Sequence, residues 1–444
     1  MFYEGYDNYM RSGFPHDDLS PLSCTGFDPL GGYSATLIDS LDTLVIMGNY
    51  SEFEKQMWWV VDNINFDLNV NVSVFETNIR ILGGLLSSHL LITHSSLPLL
   101  TSGRPYNNEL LSLATDLGKR LLPAFNTPTG VPYGTVNLHY GVPEGETPVT
   151  CTAGGGTFSL EFGILSSLTN NPAFENAARA AVHGLWHFRS SENLIGNHIN
   201  TSNGQWIHRG SGVGAGADSF YEYLLKSAIF FNDWEYMNLW NQSYTALLKW
   251  TKIGNWYVEV DYEKLGVTSP AFGSLQCYWP GVQVLNGDVK EALLTWLEFY
   301  GIWRRFGFTP EAYDLSKGVL YEYGKGYPLR PELAESLYYL STALNDDTVY
   351  LFGRDIVENI NNYTKTECGY AAIDDVTTHK LRDHMDSFFL SETCKYLYLL
   401  YSPDNFVNTG NYIFNTEGHI FPVSAQFFNM NPIPQNDGLF KKKC

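Results

Sequence analysis

An apolar helix, a polar turn carrying an aromatic, and a second apolar helix recur along nearly the whole chain. This pattern constrains the fold more than any single motif does. Ser159 to Leu168 sets Leu160, Phe162, Ile164, Leu165 and Leu168 at mixed three- and four-residue spacing; Thr169-Asn170-Asn171-Pro172 then stops that helix, and Ala173 to Phe188 starts another. The same grammar appears at Gly48-Asn49-Tyr50, His94-Ser95-Ser96, Asn232-Asp233-Trp234, Phe308-Thr309-Pro310, Asn345-Asp346-Asp347 and Ser402-Pro403-Asp404. Seven such turns imply about seven helical hairpins. Their irregular spacing excludes a solenoid of strict period. Hairpins of this number bury their apolar stripes by closing into a double-layered toroid. No linker or charge run divides the chain, so residues 1–444 are expected to form one all-α domain, with a loop-like insertion at 128–159.

Hydrophobic residues make up 44% of the chain and charged residues 17%, enough apolar side chain for a large core and too little charge for disorder. The net charge of −20 excludes nucleic acid as the expected partner, because a phosphate backbone recruits clustered Lys and Arg. No run of 18 apolar residues exists, so no membrane-spanning helix is expected. The opening Met1 to Asp7 lacks the basic and apolar segments of a secretory signal. Five N-x-Ser/Thr sequons, at Asn49, Asn71, Asn200, Asn241 and Asn362, nevertheless favour the secretory route, with a signal trimmed or outside this sequence. The six cysteines have no CxxC pair and no metal-like spacing, which argues against zinc and leaves disulfides open in an oxidising compartment.

Most informative is where the acids sit. Glu76, Asp218, Glu222, Glu332, Glu335 and Glu392 lie beside Gly, Pro, Arg and aromatics at the starts of apolar helices, not in solvated charge runs. Any one of them could simply complement a helix dipole. Together they form a pattern: Glu76 and Arg80, Asp218 and Glu222, and Phe388 and Glu392 are spaced i,i+4, and Glu332 and Glu335 i,i+3, so each pair projects from one helix face. In a closed toroid such helix ends converge on the axis. Glycoside hydrolysis needs one carboxylic acid to protonate the leaving oxygen and one carboxylate to activate water, and crowded carboxylates raise one another's pKa. Aromatics at 15% fit a sugar-binding cleft. Asn415-Thr416-Glu417-Gly418-His419 offers oxygen donors of the kind a hard cation takes, although read alone Thr416 is equally a capping residue.

At these motifs the chain resembles glycoside hydrolase family 47, the class I α-1,2-mannosidases. The resemblance runs from Tyr6-Asp7-Asn8-Tyr9-Met10 through Ser40-Leu41-Asp42-Thr43-Leu44, Phe75-Glu76-Thr77-Asn78-Ile79-Arg80, Asp218-Ser219-Phe220-Tyr221-Glu222, Arg330-Pro331-Glu332 and Ser387-Phe388-Phe389 to Asn415-Thr416-Glu417. Within the family, Pro21-Leu22-Ser23-Cys24 and Tyr327-Pro328-Leu329-Arg330-Pro331-Glu332 are similar to the ER degradation-enhancing α-mannosidase-like branch. The resemblance implies an (α/α)7 barrel that inverts anomeric configuration and removes α-1,2-linked mannose from N-linked high-mannose glycans in the endoplasmic reticulum lumen, feeding ER-associated degradation. It implies Glu76 as general acid, Glu332 or Asp218 as general base, and Thr416 as the residue holding Ca²⁺. Phe388 would stack on the terminal mannose, and Arg80, Glu222, Arg330, Glu335 and Glu392 would hydrogen-bond sugar hydroxyls or waters. A disulfide isomerase is an implied partner, and Cys24 is implied to bond Cys444 or to exchange with that partner.

Two departures are expected to matter. Gly216 stands where the strictly trimming ER enzyme of the family has an arginine, which implies a wider pocket, and Gly418 replaces a common alanine, which implies a looser calcium loop. A rival of another class, a lectin-like adaptor that binds trimmed glycans and hydrolyses little, is opposed by the presence of Glu76, Asp218 and Glu332. A prenyl-transferring or terpene-cyclising toroid lacks its Asp-rich magnesium motifs or Cys/His zinc ligands here.

Overall fold

The computed structural model describes residues 1–344 and 346–428. Among them, seven helices form an inner ring: Ala35–Ile46, Gly83–His94, Ser159–Thr169, Asp218–Phe231, Trp279–Leu285, Glu332–Ala343 and Cys394–Leu400. Each packs on the next, and the short helix Phe389–Thr393 at the head of the last one returns to Ala35–Ile46 and closes the circle. Tyr50–Asn63, Glu109–Leu121, Ala173–His187, Trp234–Trp250, Val289–Phe306 and Thr348–Tyr363 each lie outside the inner helix that precedes them. The seventh outer position is taken by Phe2–Asn8 against Phe389–Thr393, so the two ends of the chain complete the (α/α)7 barrel.

Burial separates the layers as their sequences require. All twelve residues of Ala35–Ile46 are buried, its apolar residues in the core and its polar Thr36, Asp39 and Asp42 bonded to Asp18, Ser387 and Lys395 of neighbouring segments. Glu109–Leu121 buries only Leu110, Ala114, Leu117, Gly118 and Leu121, a single stripe at helical period. The polar turns act through their chemistry: Asn170 and Asn232 end inner helices in the left-handed conformation at φ 53° and 52°, and the Asp233 carboxylate accepts from the Glu235 and Tyr236 amides to start the next helix. Of the seven anticipated turns, Asn345-Asp346-Asp347 begins on a residue outside those described, and two others serve otherwise. Phe308-Thr309-Pro310 leaves an outer helix for the rim, and Ser402-Pro403-Asp404 leaves the last inner helix. One true hairpin turn, Asn286-Gly287-Asp288, lacks the flanking aromatic and escaped the pattern.

Small antiparallel sheets decorate the barrel. Residues 128–159 contribute Thr135–Asn137, which pairs with Asn71–Ser73 directly before Glu76. The hairpin of Tyr412–Phe414 and Ile420–Pro422 carries Thr416 in its turn. That turn bonds inner helices from several sides: Asn415 Nδ2 donates to Glu161 (2.8 Å) and the Ile79 carbonyl (2.9 Å), Arg80 reaches Glu417 (2.8 Å), and Lys395 donates to the Gly418 carbonyl (2.6 Å). A turn held from so many directions lies on the barrel axis.

Cys24 forms its disulfide with Cys368, 344 residues away, which corrects the expected Cys24–Cys444 pairing. Cys444 lies outside the described residues. The reason is local: Leu19 pairs with Met385, and Thr366 Oγ1 donates to the Pro21 carbonyl (3.0 Å), so the segment holding Cys24 already lies on that holding Cys368. Cys151, Cys277 and Cys394 are free thiols.

Candidate active site

The site is built where inner helices begin. Ser73 caps the single turn Val74–Glu76, its hydroxyl accepting from the Glu76 amide (3.2 Å). The next turn, Thr77–Leu82, is a π-helix, and a second π-turn, Phe389–Thr393, follows Phe388. Such bulges re-aim side chains and concentrate at functional sites. Leu329, immediately before Arg330 and Glu332, takes φ +64°, a conformation worth about 1–3 kcal/mol of strain for a side-chain-bearing residue. It is fully buried, with its carbonyl accepting from Thr393 Oγ1 (2.7 Å).

Arg80 organises one wall. Its Nε donates to Glu76 (2.8 Å), and its Nη1 donates to Glu417 (2.8 Å) and Ser387 (2.9 Å). Arg330 organises the opposite wall, held by Glu311 through two hydrogen bonds of 3.1 and 2.8 Å. Both guanidiniums lie over the ring of Phe388, at 5.4 and 5.6 Å from its centroid. One aromatic floor therefore joins the Glu76 side to the Glu332 side. Glu76 keeps 32% of its side chain exposed, whereas Glu332 has one carboxylate oxygen buried without a partner.

Burial lifts the acids. Desolvation pushes Glu332 up to about 7 against the opposing pull of Arg330, and pushes Asp218 up to about 7 with help from Glu222. Glu335 is raised well above the usual range by burial and then by Glu222; Glu392 is raised by burial and then by Glu417. Lys226 binds Glu222 directly and lies 4.0 Å from Glu335. Glu76, Arg80, Phe388 and Arg330 are thus linked by direct contacts, and Asp218, Glu222, Glu332, Glu335 and Glu392 by mutual repulsion that helps raise Asp218, Glu332, Glu335 and Glu392.

Several participants were missed. Glu161 is fully buried and accepts from Tyr223 (2.6 Å), Asn415 (2.8 Å) and Asn78 (3.0 Å). Behind Arg80, His419 sits between Asp39 (3.0 Å) and Asp42 (3.2 Å), and Lys395 closes on Asp42 (2.8 Å). Burial alone would lower the His419 pKa, but Asp42 and Asp39 raise it to about 9. Acids inside the apolar run of Ala35–Ile46 were the available signal, since a charge on an all-buried helix must find a partner.

Glu417 follows Thr416 directly, and Glu222, Glu335, Glu392 and Glu417 are buried oxygen donors, Glu222 repelling Glu335 and Glu417 repelling Glu392. That chemistry fits a hard dication such as Ca²⁺. The described residues also form one histidine-containing cluster, Asp18, His384 and Asp386; it excludes Thr416, and His384 already pairs with Asp18 (2.9 Å). Gly418 takes φ +74°, its Cβ position lying 3.0 Å from the Ser391 carbonyl, and its own carbonyl is held by Lys395. Packing fixes this loop, contrary to the loosening expected there. Gly216 takes φ +84°, and a Cβ there would meet Asn197 Oδ1 at 2.4 Å.

Comparison with known proteins agrees with this geometry. The profile described as glycosyl hydrolase family 47 matches residues 1–423. The chain belongs to this family. It is 50% identical to Alpha-mannosidase I MNS4 of Arabidopsis thaliana, over 96% of this chain and 69% of that protein. It is 49% identical to ER degradation-enhancing alpha-mannosidase-like protein 2 of Mus musculus, over 96% and 77%. Its fold superposes on the alpha-1,2-mannosidase from Trichoderma reesei with a TM-score of 0.86 at 29% identity, covering 95% of this chain and 97% of that one. This family 47 member is a glycoside hydrolase of the α-mannosidase type, and no described helix is long and apolar enough to cross a membrane.

Proposed function

We propose that the protein is an inverting exo-α-1,2-mannosidase that trims N-linked high-mannose glycans of misfolded glycoproteins in the endoplasmic reticulum lumen, committing them to ER-associated degradation. One observation carries this reading: Arg80, which binds Glu76, and Arg330, two residues before Glu332, both lie over the ring of Phe388, and the reading sets Glu76 and Glu332 on either side of a sugar held there. A mannose ring stacked on Phe388 would present its glycosidic oxygen to one carboxyl and its anomeric carbon to water activated by the other.

In this reading Arg80 fixes Glu76, which passes a proton to the leaving oxygen directly or through a water. Glu332, half-buried and poised near 7, takes the proton of the attacking water. Asp218, poised similarly, is the alternative base. Glu222, Glu335, Glu392 and Arg330 would fix hydroxyls and waters, pre-organising the ring. Thr416, through hydroxyl and carbonyl, with the carboxylates around it, would hold Ca²⁺, which supplies a hard positive charge to sugar hydroxyls when bound. An oxidising lumen suits the Cys24–Cys368 bridge, and a disulfide isomerase is the proposed partner. The described residues are proposed to act as a single catalytic domain.

The test is a time course of mannose release from a high-mannose glycan with Ca²⁺ or chelator, and with or without a disulfide isomerase, for wild type, Glu332→Gln and Asp218→Asn. Calcium-dependent release of β-anomeric mannose, abolished by Glu332→Gln, supports hydrolysis with Glu332 as base. Abolition by Asp218→Asn alone would move that role to Asp218. Tight glycan binding without release under every condition would favour a lectin-like adaptor.

A further inference from the structure

Beside Arg330 lies a groove of about 210 Å³ lined by Asn197, Ala215, Glu259, Gln276, Glu311 and Ala312 among others. Two features tie it to the site. Ala215 stands three residues before Asp218, in the loop whose Gly216 leaves room beside Asn197. Glu311 lines the groove while gripping Arg330 through both guanidinium hydrogen bonds. Its remaining contact is Ser274 Oγ, which donates to the same carboxylate.

The lining is amide, carboxylate and hydroxyl, polar groups of the kind that receive sugar hydroxyls. Its polar groups are set in advance. Asn197 Nδ2 donates to the Ala215 carbonyl (2.7 Å), Thr268 Oγ1 to Glu259 (2.6 Å), and Gln276 Nε2 to the Tyr257 carbonyl (3.3 Å). Beside the groove, the segment 321–326 is strapped to the Glu311–Ala312 wall: Ala312 N donates to the Gly324 carbonyl (2.9 Å), Tyr321 N to the Ala312 carbonyl (3.2 Å), and Glu311 N to the Gly326 carbonyl (3.1 Å). That strap carries Tyr323, 81% exposed and stacked on Tyr321 with centroids 5.3 Å apart and planes 26° apart. Leaving the Tyr323 ring in water beside the half-buried Tyr321 forfeits burial that the fold could otherwise gain.

We propose that this groove and the Tyr321–Tyr323 pair form a second saccharide subsite, which takes a mannosyl residue of the same glycan beyond the scissile linkage. Glu311, shared between groove and Arg330, links its occupancy to the grip on the terminal sugar. This rests on the mannosidase reading, which supplies the glycan, but it concerns where the rest of that glycan lies.

The experiment compares kcat and KM on a free branched high-mannose oligosaccharide and on α-1,2-mannobiose, for wild type, Tyr323→Ala and Tyr323→Phe. An exposed position tolerates both substitutions. Loss of one ring face should raise KM for the oligosaccharide roughly fivefold, with Tyr323→Phe like wild type and the disaccharide, too short to reach the platform, turned over as before. Unchanged KM for the oligosaccharide in Tyr323→Ala, or an equal loss on both substrates, overturns the subsite. If wild type releases mannose from neither substrate, the mannosidase reading fails on its own. Calorimetric titration of the oligosaccharide then decides the subsite, weaker binding to Tyr323→Ala supporting it and equal binding overturning it.

Discussion

Replacing Glu332 by glutamine should trade activity for stability, with a pH signature that identifies the cause. The carboxyl is pushed from 4.5 up to about 7, chiefly by burial. Because the folded state holds this proton more tightly than the unfolded chain, the group adds no penalty below pH 4.5, and its cost grows between 4.5 and 7 and is complete above 7. A shift of that size corresponds to at most about 3 kcal/mol, since the residue is only partly covered. Glutamine never ionises, so the variant and wild type should unfold alike near pH 4.5 and separate towards pH 8. For 444 residues the unfolding entropy converts 3 kcal/mol into about 3 °C of Tm. Scanning calorimetry of both proteins at pH 4.5, 6 and 8, with chelator present so that no cation offsets the charge, reads this directly. Mannose release by the variant should fall by about 10²–10⁴-fold, the range of a lost general base. A Tm difference that does not grow with pH, or turnover within tenfold of wild type, would refute the reasoning.

Arg80→Lys keeps a charge but cannot serve Glu76, Ser387 and Glu417 together; we expect about 3 kcal/mol lost in thermal unfolding and at least a hundredfold lower mannose release, and wild-type kinetics would overturn that role. Cys24→Ser should lower stability by up to about 5 kcal/mol, because the bridge spans 344 residues, and non-reducing peptide mapping of the wild type should recover Cys24 joined to Cys368. Gly216→Arg must adopt φ +84° and displace Asn197, so we expect about 1–2 kcal/mol of destabilisation and a narrower set of mannoses released in a product profile.

The helical layers were legible because burial leaves a period: Glu109–Leu121 exposes its polar face, whereas Ala35–Ile46 buries every residue, its two aspartates included. Turn chemistry located Asn170 and Asn232, whose left-handed conformations stop helices by local rules. Where a hairpin closes across the chain, local rules fail, and so the pairing of Phe2–Asn8 with Phe389–Thr393 left no periodic trace. The acids at helix starts were visible as a pattern, but their mutual distances are set by ring closure. Glu311 sits in a rim segment far from Arg330 in type of surroundings, and nothing in Phe308-Thr309-Pro310-Glu311 announces a partner nineteen residues on. Cys368 likewise pairs with Cys24 because two loops meet, a fact that spacing cannot encode.

Closure of the ring through Phe2–Asn8 and Phe389–Thr393 gives synthesis a direction and a deadline. Until residues 389–400 have emerged, the inner helices enclose an open arc whose apolar edge has no neighbour. At about 5–20 residues per second the arc from Ala35 to Leu400 stays open for on the order of tens of seconds during synthesis. The cavity that would cut glycans stays unassembled throughout, because Thr416 and Glu417 arrive after the last inner helix. A ribosome that stalls early therefore releases a fragment without a cutting site, itself a client for the quality control its finished form is proposed to serve.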